Sequence, residues 1–504
     1  MLVWLLVIVL LTLVYYYGQR RFRYWSDRGI PHLEGSLPLG SMQGVGKEMS
    51  LNELVDQVYS RFKCQSPAAG VYFLVNPVLI VSDLDLAKRI LVKDFDHFHD
   101  RGVYVNERDD PLSGHLFALG GERWRYLRNK LSPTFTSGKI KYMFGTIRDI
   151  GGELLASFDR HIDQGTPIDI KLLSQCFTCD VVGSCAFGLR CNSLQNGGSK
   201  LLEISDRLFR QSAASTIYYI ATSTFPRLSR ALHLPAFPGD VSSYFMELVR
   251  STVEHREREA IERSDFLQLL MKLKNDGTVG PGEDGAEEQS SQKITLDEAT
   301  AQAFVFFFAG FETSATTLAF ALFLLANDSA VQERCRKEIV EVLAQHENTI
   351  SYDALKEMTY LDWVINETLR LYTPAGLVMR VVTEPYRLEA CNVTLETGTM
   401  VIVPLQSFHR DPVLFPNPER FDPDRFSPEV AKTRHSHAFL PFGDGPRNCI
   451  GMRFGLLEVK FGIVQVISKL RLTVNPRTVL PLQLNKSSGF PEANGGLWLD
   501  AARL

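Results

Sequence analysis

The amino-acid sequence predicts a mainly α-helical fold with a minor β region behind an N-terminal membrane anchor. Helical periodicity and helix-ending residues run through most of the 504 residues. Strand patterns are confined to residues 70–82 and to about 381–404. The first 17 residues are apolar except for Thr12. These three observations predict a helical body with a small sheet, preceded by one apolar helix.

The N-terminal segment has the features of an uncleaved signal anchor. As a helix, the apolar run spans about 25 Å, close to the roughly 27 Å core of the endoplasmic reticulum bilayer. A tyrosine cluster and a basic flank follow it, at residues 15–17 and at Arg20, Arg21 and Arg23. Because the positive charge follows the apolar run and no small-residue cleavage site is present, we expect a single-pass anchor at residues 1–19 with residues 20–504 in the cytosol. A buried core helix is the alternative interpretation.

The next segments predict connections and the first strands. Residues 20–40 are basic and then rich in turn residues, which predicts a hinge before a globular body at 41–504. Residues 70–82 predict two short strands around Asn76-Pro77. Residues 225–238 mix apolar residues with proline, as a core loop or a partner site would. Residues 275–292, rich in Gly, Glu and Ser, predict a solvated loop.

Composition excludes several classes of protein. Apolar residues make up 45% of the chain, charged residues 22%, and the net charge is −4, so a disordered chain is excluded and there is no general basis for nucleic-acid binding. Eight cysteines do not form a dense disulfide framework in a chain of this length, which favours a reducing compartment. Cys176-x-x-Cys179 lies in an apolar helical pattern without a second pair, so we interpret it as packing rather than as a metal or redox motif.

Three polar pairs stand out on predicted helices. Trp124 and Arg128 are four residues apart, hence on one face, where an indole N–H and a guanidinium suit a carboxylate. Glu367 and Arg370 share a helix face and, exposed, would be a weak surface pair. Glu312 and Thr313 follow Gly310 in an apolar helix at about 295–327, where water or a ligand would satisfy them. The alternative is a Thr313 hydroxyl bonded to a helix carbonyl beside a solvent-facing Glu312.

The stretch Phe442-Gly-Asp-Gly445-Pro-Arg447-Asn-Cys449-Ile-Gly451 delivers one cysteine to the start of a helical run at 452–470. A helix N-terminus carries unpaired N–H groups and partial positive charge, which stabilise a thiolate. Arg447 would add a cation beside the sulfur. A buried structural cysteine after a turn is the alternative.

This pattern, Phe-x-x-Gly-x-Arg-x-Cys-x-Gly, resembles the haem-binding loop of the cytochromes P450. Ala309-Gly310-x-Glu312-Thr313, Glu367-x-x-Arg370 and the N-terminal anchor precede it in the order of the microsomal class, and Met452-Arg-Phe-Gly and Leu131-Ser-Pro-Thr-Phe are most similar to the insect xenobiotic-metabolising branch. The resemblance covers essentially the whole chain. It implies one large helical domain with a small β-rich part, although the length alone would allow several domains.

The resemblance also implies roles for residues. Cys449 would be the axial thiolate ligand of haem b, in a loop that includes Phe442, Arg447 and Gly451. Trp124, Arg128 and Arg380 would bind the haem propionates, and Glu312 with Thr313 would manage protons beside dioxygen. Arg420 would join Glu367 and Arg370 in a buried structural cluster. Substrate contacts are expected from the following residues, each of which could equally be core: Phe117, Val305, Phe308, Ala309, Leu377, Val378 and Phe490.

The activity implied is a monooxygenase reaction on lipophilic small molecules, either xenobiotics such as plant toxins and insecticides or endogenous lipids and hormones. No Gly-x-Gly-x-x-Gly is present, so NADPH would act through a separate P450 reductase, with cytochrome b5 as an optional second donor. Five basic residues lie on or near the predicted helix that carries Trp124 and Arg128. They form either a docking face for the electron donor or a merely solvated surface: Arg123, Arg125, Lys130, Lys139 and Lys141. Residues 225–238 would be a mobile lid that also contacts membrane lipid.

Two other functions fit the same fold. One is an isomerase or dehydratase that uses a peroxide substrate and no reductase. The other is a membrane-tethered haem sensor or carrier without turnover. The acid–Thr pair favours the monooxygenase over both.

Overall fold

The computed structural model describes residues 1–209, 212–263, 265–277 and 293–504. Most of the predicted solvated loop at 275–292 therefore lies outside the described residues. The described residues form a mainly helical body with small β-sheets, as the sequence predicts.

The helices of the described residues are, in chain order, α1 Leu2–Arg21, α2 Leu51–Phe62, α3 Leu84–Lys88, α4 Gly121–Leu131, α5 Ser137–Gln164, α6 Ile170–Phe187, α7 Ser193–Asn196, α8 Lys200–Phe209, α9 Ala213–Thr224, α10 Pro226–Ala231, α11 Gly239–Arg258, α12 Phe266–Asp276, α13 Leu296–Asn327, α14 Ser329–Gln345, α15 Tyr352–Glu357, α16 Thr359–Leu371, α17 Leu405–Arg410, α18 Pro428–Ala431 and α19 Met452–Ile467. The predicted helical run at 452–470 is shorter in the structure, since a strand begins at Leu470.

The strands are β1 Ala68–Phe73, β2 Asn76–Val81, β3 Ile168–Asp169, β4 Val378–Val381, β5 Tyr386–Leu388, β6 Val393–Leu395, β7 Met400–Val403, β8 Leu470–Val474 and β9 Trp498–Arg503. A four-stranded sheet has the order β1-β2-β7-β4, in which β2 pairs with β7 in parallel and the other pairs are antiparallel. A three-stranded sheet has the order β3-β9-β8, and β5 with β6 forms a hairpin. Both strand regions predicted from the sequence are present.

Helix α13 runs through the centre of the helical body. The Thr295 side chain caps its first turn in a reciprocal capping box with Glu298. The helix continues without a break through Gly310, where an added Cβ would lie 3.4 Å from Val182 on α6. This is an ordinary van der Waals distance, so the contact between α6 and α13 does not itself require a glycine at this position. Of the three described helices long and apolar enough to cross a membrane, α6 and α13 are mostly buried and α1 is exposed.

The segment after α1 is packed against the four-stranded sheet. Trp25 is fully buried, its indole N–H donates to the Val71 carbonyl at 3.1 Å, and the Tyr72 hydroxyl donates to the Phe22 carbonyl at 2.7 Å. Leu33 and Gly70 are joined by a backbone hydrogen bond of 3.0 Å. The predicted hinge at 20–40 is therefore wrong for residues 22–33, because burial of these aromatic side chains makes the segment part of the globular body.

A buried ion cluster joins α16 to the irregular chain that precedes the cysteine loop. Glu367 and Arg370 are fully buried and form a two-pronged ion pair with distances of 2.7 and 2.8 Å. The third member is Arg425, whose Nε lies 3.3 Å from Glu367 Oε1. The prediction of Arg420 is wrong for the side chain, which is exposed; Arg420 contributes its carbonyl, 3.2 Å from Arg370. Arg425 also lies in the segment after Pro418-Glu419-Arg420, and spacing alone did not distinguish the two arginines.

A second buried carboxyl, Glu458 on α19, has no ion pair among the described residues. Its side chain is fully buried, and the polar group that approaches it is the Ser314 hydroxyl on α13. Burial raises the pKa of Glu458 to about 8. Glu458 therefore folds as a neutral acid over most of the physiological pH range.

We predict that Arg425→Met destabilises the protein strongly and that Arg420→Met does not. Loss of Arg425 removes one of two cations from the fully buried Glu367, and breaking such a cluster costs about 3–5 kcal/mol. The exposed Arg420 side chain should contribute within about 0.5 kcal/mol. Denaturant unfolding of both variants measures the difference, and equal losses would contradict the assignment of Arg425.

We predict that Glu458→Gln relieves a pH-dependent destabilisation. An unfolded Glu ionises above its ordinary pKa, whereas the folded one keeps its proton up to about pH 8. Folding therefore takes up a proton in this window, and wild-type stability falls with rising pH by at most about 1.4 kcal/mol per unit. The stability of Glu458→Gln relative to wild type should rise from about pH 5 and level off above about pH 8. The exposed Glu429→Gln is the control, and a pH-independent difference for Glu458→Gln would contradict the prediction.

Candidate functional site

The cysteine loop folds back on itself before α19. The Cys449 N–H donates to the Phe442 carbonyl at 2.9 Å, and the Asn448 N–H donates to the Gly445 carbonyl at 3.0 Å. Gly445 has a φ of +73°, and an added Cβ would lie 1.9 Å from the Leu91 carbonyl oxygen. Only glycine fits both the backbone conformation and this contact. Gly451 is the N-cap of α19, so the loop holds Cys449 at the beginning of that helix.

The Cys449 sulfur is at the N-terminal end of α19, as the sequence predicts. Burial raises the pKa of the Cys449 thiol, while the backbone N–H groups of Gly451 and Met452 and the cations Arg128 and Arg101 act in the opposite direction. Arg447 does not supply the expected cation: its guanidinium lies over the Trp124 ring, 4.1 Å from the centroid, and donates to the Leu119 carbonyl at 2.7 Å.

Cys449 and the central helix face an internal space. The Cys449 side chain is exposed, and so is Ala309 in the middle of α13, although the surrounding helices are buried. Helices α13 and α19 pack together through Phe306 and Phe454, whose ring centroids are 5.7 Å apart. We infer that Cys449 and the Ala309 face of α13 line one interior cavity.

Four guanidiniums converge near the cysteine loop from different parts of the chain. Arg128 comes from α4, Arg380 from β4, Arg447 from the loop itself and Arg101 from the segment before α4. Arg101 has its pKa held well below the ordinary value, first by burial and then by the other three arginines. Burial also lowers the pKa of Arg380 to about 10 and that of Arg447 to about 9.

These cations lack matching counter-charges among the described residues. Arg380 Nε and both Nε and Nη1 of Arg447 have no hydrogen-bond partner there. Asp100 lies 3.5 Å from Arg447, and Arg128 donates to the carbonyl and the side-chain oxygen of Asn448 at 3.0 and 2.7 Å. Burial of cations without partners is unfavourable. The arrangement therefore fits a ligand with two carboxylates, such as the propionates of haem b.

Trp124 and Arg128 share helix α4 as expected. Trp124 is buried between the Arg447 guanidinium and the Phe95 ring, with a ring-centroid distance of 5.7 Å to Phe95. Arg101 was missed by the sequence reasoning because it belongs to no spaced motif. The fold alone brings it to the other three arginines.

Glu312 and Thr313 do not form a contacting pair. Glu312 is buried and accepts hydrogen bonds from Lys171 Nζ at 2.6 Å and from Gln175 Nε2 at 3.0 Å, both on α6. Thr313 is half-buried, and its hydroxyl donates to the Ala309 carbonyl at 2.7 Å. The solvent-facing Glu312 of the alternative interpretation is wrong, whereas its back-bonded Thr313 is observed. Lys171 and Gln175 were missed because they lie about 140 positions from Glu312 in the sequence.

The predicted substrate residues fall into two groups. Phe308 stacks on Phe209 at 4.8 Å, and Phe490 meets the edge of Phe209 at 5.4 Å, so these two belong to one aromatic cluster. Val305 and Phe308 are half-buried and Ala309 is exposed, as a cavity-lining helix face requires. Phe306, which shares that face on an ideal helix, instead stacks on Phe266 in the core at 4.6 Å.

The second group lies near the arginines and the cysteine loop. Phe117 is exposed and stacks on the Arg101 guanidinium at 4.2 Å. Leu377 and Val378 are half-buried, and Val378 lies beside Gly443 of the loop. Phe117 is also connected to the aromatic cluster, because the His115 ring lies 6.4 Å from Phe117 and 5.8 Å from Phe237, which in turn contacts Phe308.

The basic residues around α4 are largely paired. Arg123 contacts Glu107 at 2.5 Å and Glu298 at 3.3 Å, Arg125 contacts Asp96 at 3.4 Å, and Lys141 contacts Asp353 at 2.9 Å. Lys130 donates to the Gly277 carbonyl at 2.7 Å. Lys139 is exposed. The surface is less positive than the run of basic residues implies.

Comparisons with known proteins agree with this geometry. The family model described as Cytochrome P450 matches residues 31–497. "Probable cytochrome P450 6a14" of Drosophila melanogaster is 41% identical over 99% of each chain. "Cytochrome P450 6A1" of Musca domestica is 42% identical over 95% of this chain and 94% of its own, and "Cytochrome P450 6a2" of Drosophila melanogaster is 40% identical over 100% and 99%.

A family match across nearly the whole chain, together with insect relatives of about 40% identity over their full length, decides the classification. The chain belongs to the cytochrome P450 family and is a P450 monooxygenase of the branch that includes these insect enzymes.

Proposed function

We propose that this protein inserts one oxygen atom of dioxygen into lipophilic small molecules, with electrons from NADPH delivered by a separate reductase. The substrates we propose are xenobiotics such as plant toxins and insecticides, or endogenous lipids and hormones. The observation that carries the proposal is the group of four under-neutralised guanidiniums beside a cysteine at a helix N-terminus. This set of side chains suits a haem held by a thiolate and two propionates.

In this proposal the Cys449 thiolate would bind the haem iron, and Gly451 with Phe442 shapes the loop that presents the sulfur. Arg101, Trp124, Arg128, Arg380 and Arg447 hold the propionates. When bound, the haem supplies the oxygen-activating chemistry, and the thiolate donates electron density that favours O–O cleavage. Neutralisation of the guanidiniums would remove the burial cost described above, so haem binding should also stabilise the fold.

Thr313 and Glu312 have separate tasks in the proposed mechanism. The Thr313 hydroxyl donates its proton to the Ala309 carbonyl, so its oxygen is free to accept a hydrogen bond from water in the cavity. Glu312 is held by Lys171 and must leave that ion pair before it can exchange a proton toward the cavity. Lys171 and Gln175 are therefore positioning residues for the acid.

The aromatic cluster supports an apolar substrate. Phe308 and Phe490 would contact it from one side, with Val305 and Ala309 on α13 nearer Thr313. Phe117, Leu377 and Val378 would contact a substrate at the end of the cavity that adjoins the arginines and the loop. No charged group is proposed to bind the substrate directly, which fits lipophilic molecules.

Electron transfer requires a partner protein. We propose the NADPH–P450 reductase, with cytochrome b5 as an optional second donor, docking near α4 and the cysteine loop. Because Arg123, Arg125 and Lys141 are ion-paired within the chain, only part of this basic surface is free to steer a partner. Docking should therefore depend on shape as well as on charge.

We propose a single-pass location in the endoplasmic reticulum membrane with the catalytic domain in the cytosol. Helix α1 exposes apolar side chains along its length and ends in Arg20 and Arg21. A second apolar surface lies along residues 218–232 and exposes Tyr218, Phe225, Leu228 and Leu232. Helix α9 packs through Ile220 on Met42 and Val45, in the chain that follows the anchor. Residues 225–238 would thus contact lipid as a lid.

The first test is the absorption spectrum of the dithionite-reduced, carbon monoxide-bound protein. Wild type should show the strong red shift of the Soret band that a thiolate ligand produces, and Cys449→Ser should lose it. Cys64→Ser, at an exposed cysteine, is the matched control and should keep it. Haem binding by wild type without the red shift would overturn the assignment of Cys449 and the monooxygenase proposal with it.

The second test separates Thr313 from a neighbouring threonine in the same conformation. Thr317 donates to the Thr313 carbonyl at 2.8 Å, as Thr313 does to Ala309, but is buried. Thr313→Ala should release several-fold more hydrogen peroxide per NADPH consumed, because the cavity loses the hydroxyl that orders water. Thr317→Ala should leave this ratio unchanged. Unchanged coupling in Thr313→Ala would remove Thr313 from the mechanism.

A further inference from the structure

Two cysteines other than Cys449, namely Cys179 and Cys191, lie close together where the segment after α6 packs against that helix. Cys179 is fully buried within α6, and Cys191 is half-buried in the irregular segment that follows this helix. Their sulfurs and the Asp180 carboxylate lie within 4.8 Å of one another. The sequence drew attention to Cys176 and Cys179, but the residue that the fold brings to Cys179 is Cys191.

The Asp180 carboxylate is already used by the backbone. Its two oxygens accept the N–H groups of Ser193 and Leu194 at 2.8 and 3.0 Å. This arrangement caps the start of α7 and leaves two thiols as available ligands. A structural zinc site needs four, so the cluster does not suit a metal ion.

The surroundings bring the two sulfurs together. Gly183 lies one turn after Cys179, and an added Cβ there would be 2.8 Å from the Cys191 sulfur. The glycine therefore makes room for Cys191 against α6. Residues 188–192 are neither helix nor strand, so Cys191 can shift without breaking a regular element.

The hydrogen-bonding groups around Cys179 favour its thiolate. The thiol of Cys191 and the hydroxyls of Ser193 and Ser199 lower the pKa of Cys179, and the Cys179 sulfur lies 3.8 Å from Ser199 Oγ. Burial instead raises the pKa of Cys176, on the same helix, to about 12. Cys179 is thus the activated thiol of α6, and it shares a proton with Cys191.

We propose that Cys179 and Cys191 are a redox pair that closes to a disulfide when the protein meets a peroxide. One thiolate attacks hydrogen peroxide: the O–O bond breaks, an S–O bond forms, and the leaving hydroxide takes a proton to become water. The second sulfur then attacks the sulfenic acid; the S–O bond breaks, the S–S bond forms, and a second water leaves. Two thiols are oxidised and one peroxide is reduced. A thiol reductant reverses the reaction.

The Cys179 thiolate attacks the peroxide, and Cys191, which holds the shared proton, then resolves the sulfenic acid. Because Cys191 is half-buried in an irregular segment, peroxide reaches the pair from that side. The reaction uses neither haem nor reductase, so it stands apart from the oxygen-insertion activity. Cys179 lies one turn beyond Gln175 on α6, and the Gln175 side chain hydrogen-bonds Glu312 of α13.

The experiment treats the purified holoenzyme with hydrogen peroxide, alkylates the remaining thiols and maps the peptides without reduction. We expect a disulfide-linked peptide pair containing Cys179 and Cys191, which disappears after treatment with dithiothreitol. Cys191→Ser should abolish it, because the resolving sulfur is gone. Cys176→Ser, a buried thiol of the same helix, is the matched control and should retain it.

Two results would overturn the proposal. One is wild-type protein in which exposed Cys64 is oxidised, showing that the peroxide acted, while Cys179 and Cys191 are recovered as free thiols. The other is a Cys176–Cys179 crosslink in place of Cys179–Cys191. Because the decisive measurement is made on wild-type protein, it holds even if a variant fails to fold.

Discussion

The position of the cysteine loop depends on one buried carboxylate. Glu367 accepts hydrogen bonds from two nitrogens of Arg370 and from the backbone N–H of Asp422, and it forms an ion pair with Arg425. Arg370 in turn donates to the His409 and Pro418 carbonyls at 2.9 and 2.7 Å.

The network continues from α17 to the loop. The His409 Nε2 atom accepts the Leu440 N–H at 3.0 Å, two residues before Phe442. Burial holds the pKa of His409 near 3, so the ring is neutral and can act as this acceptor. A continuous set of hydrogen bonds thus connects α16 with the loop that carries Cys449.

Charge balance separates this cluster from the second group of buried arginines. Around Glu367, a carboxylate and backbone carbonyls satisfy the guanidiniums, so the group needs no ligand. Around Arg101, Arg380 and Arg447, Asp100 is the one carboxylate in contact among the described residues, and several N–H groups have no partner. Burial of such groups is costly unless a ligand pairs with them. The first cluster therefore has a structural role, and we infer that the second is a binding site.

Sequence patterns predicted what depends on local spacing. Neighbouring residues predicted the helix of Glu312 and the two strands around Asn76-Pro77. They also predicted that Cys449 lies at the start of a helix and that Trp124 and Arg128 share a helix face. What spacing could not give is the set of contacts between distant segments. Tertiary packing determines that Arg425 and not Arg420 pairs with Glu367. It also brings Arg101 to the other arginines and Lys171 to Glu312. The predicted hinge failed for the same reason, since turn residues do not reveal that Trp25 is buried against β1.

Helix α6 contributes polar contacts to the candidate site as well as apolar residues to the core. Lys171, Gln175 and Cys179 follow one another at intervals of four residues and so lie along one helix face. The first two hydrogen-bond Glu312 on α13 and so connect the two helices. In the proposed mechanism a proton passes from Glu312 toward the cavity only if the acid leaves Lys171. The half-buried ammonium would then keep the Thr316 hydroxyl but lose its counter-charge, which is unfavourable without a replacement partner. We infer that water entering beside Thr313 supplies that replacement, so the supply of protons depends on hydration of the α6–α13 contact and not on the acid alone.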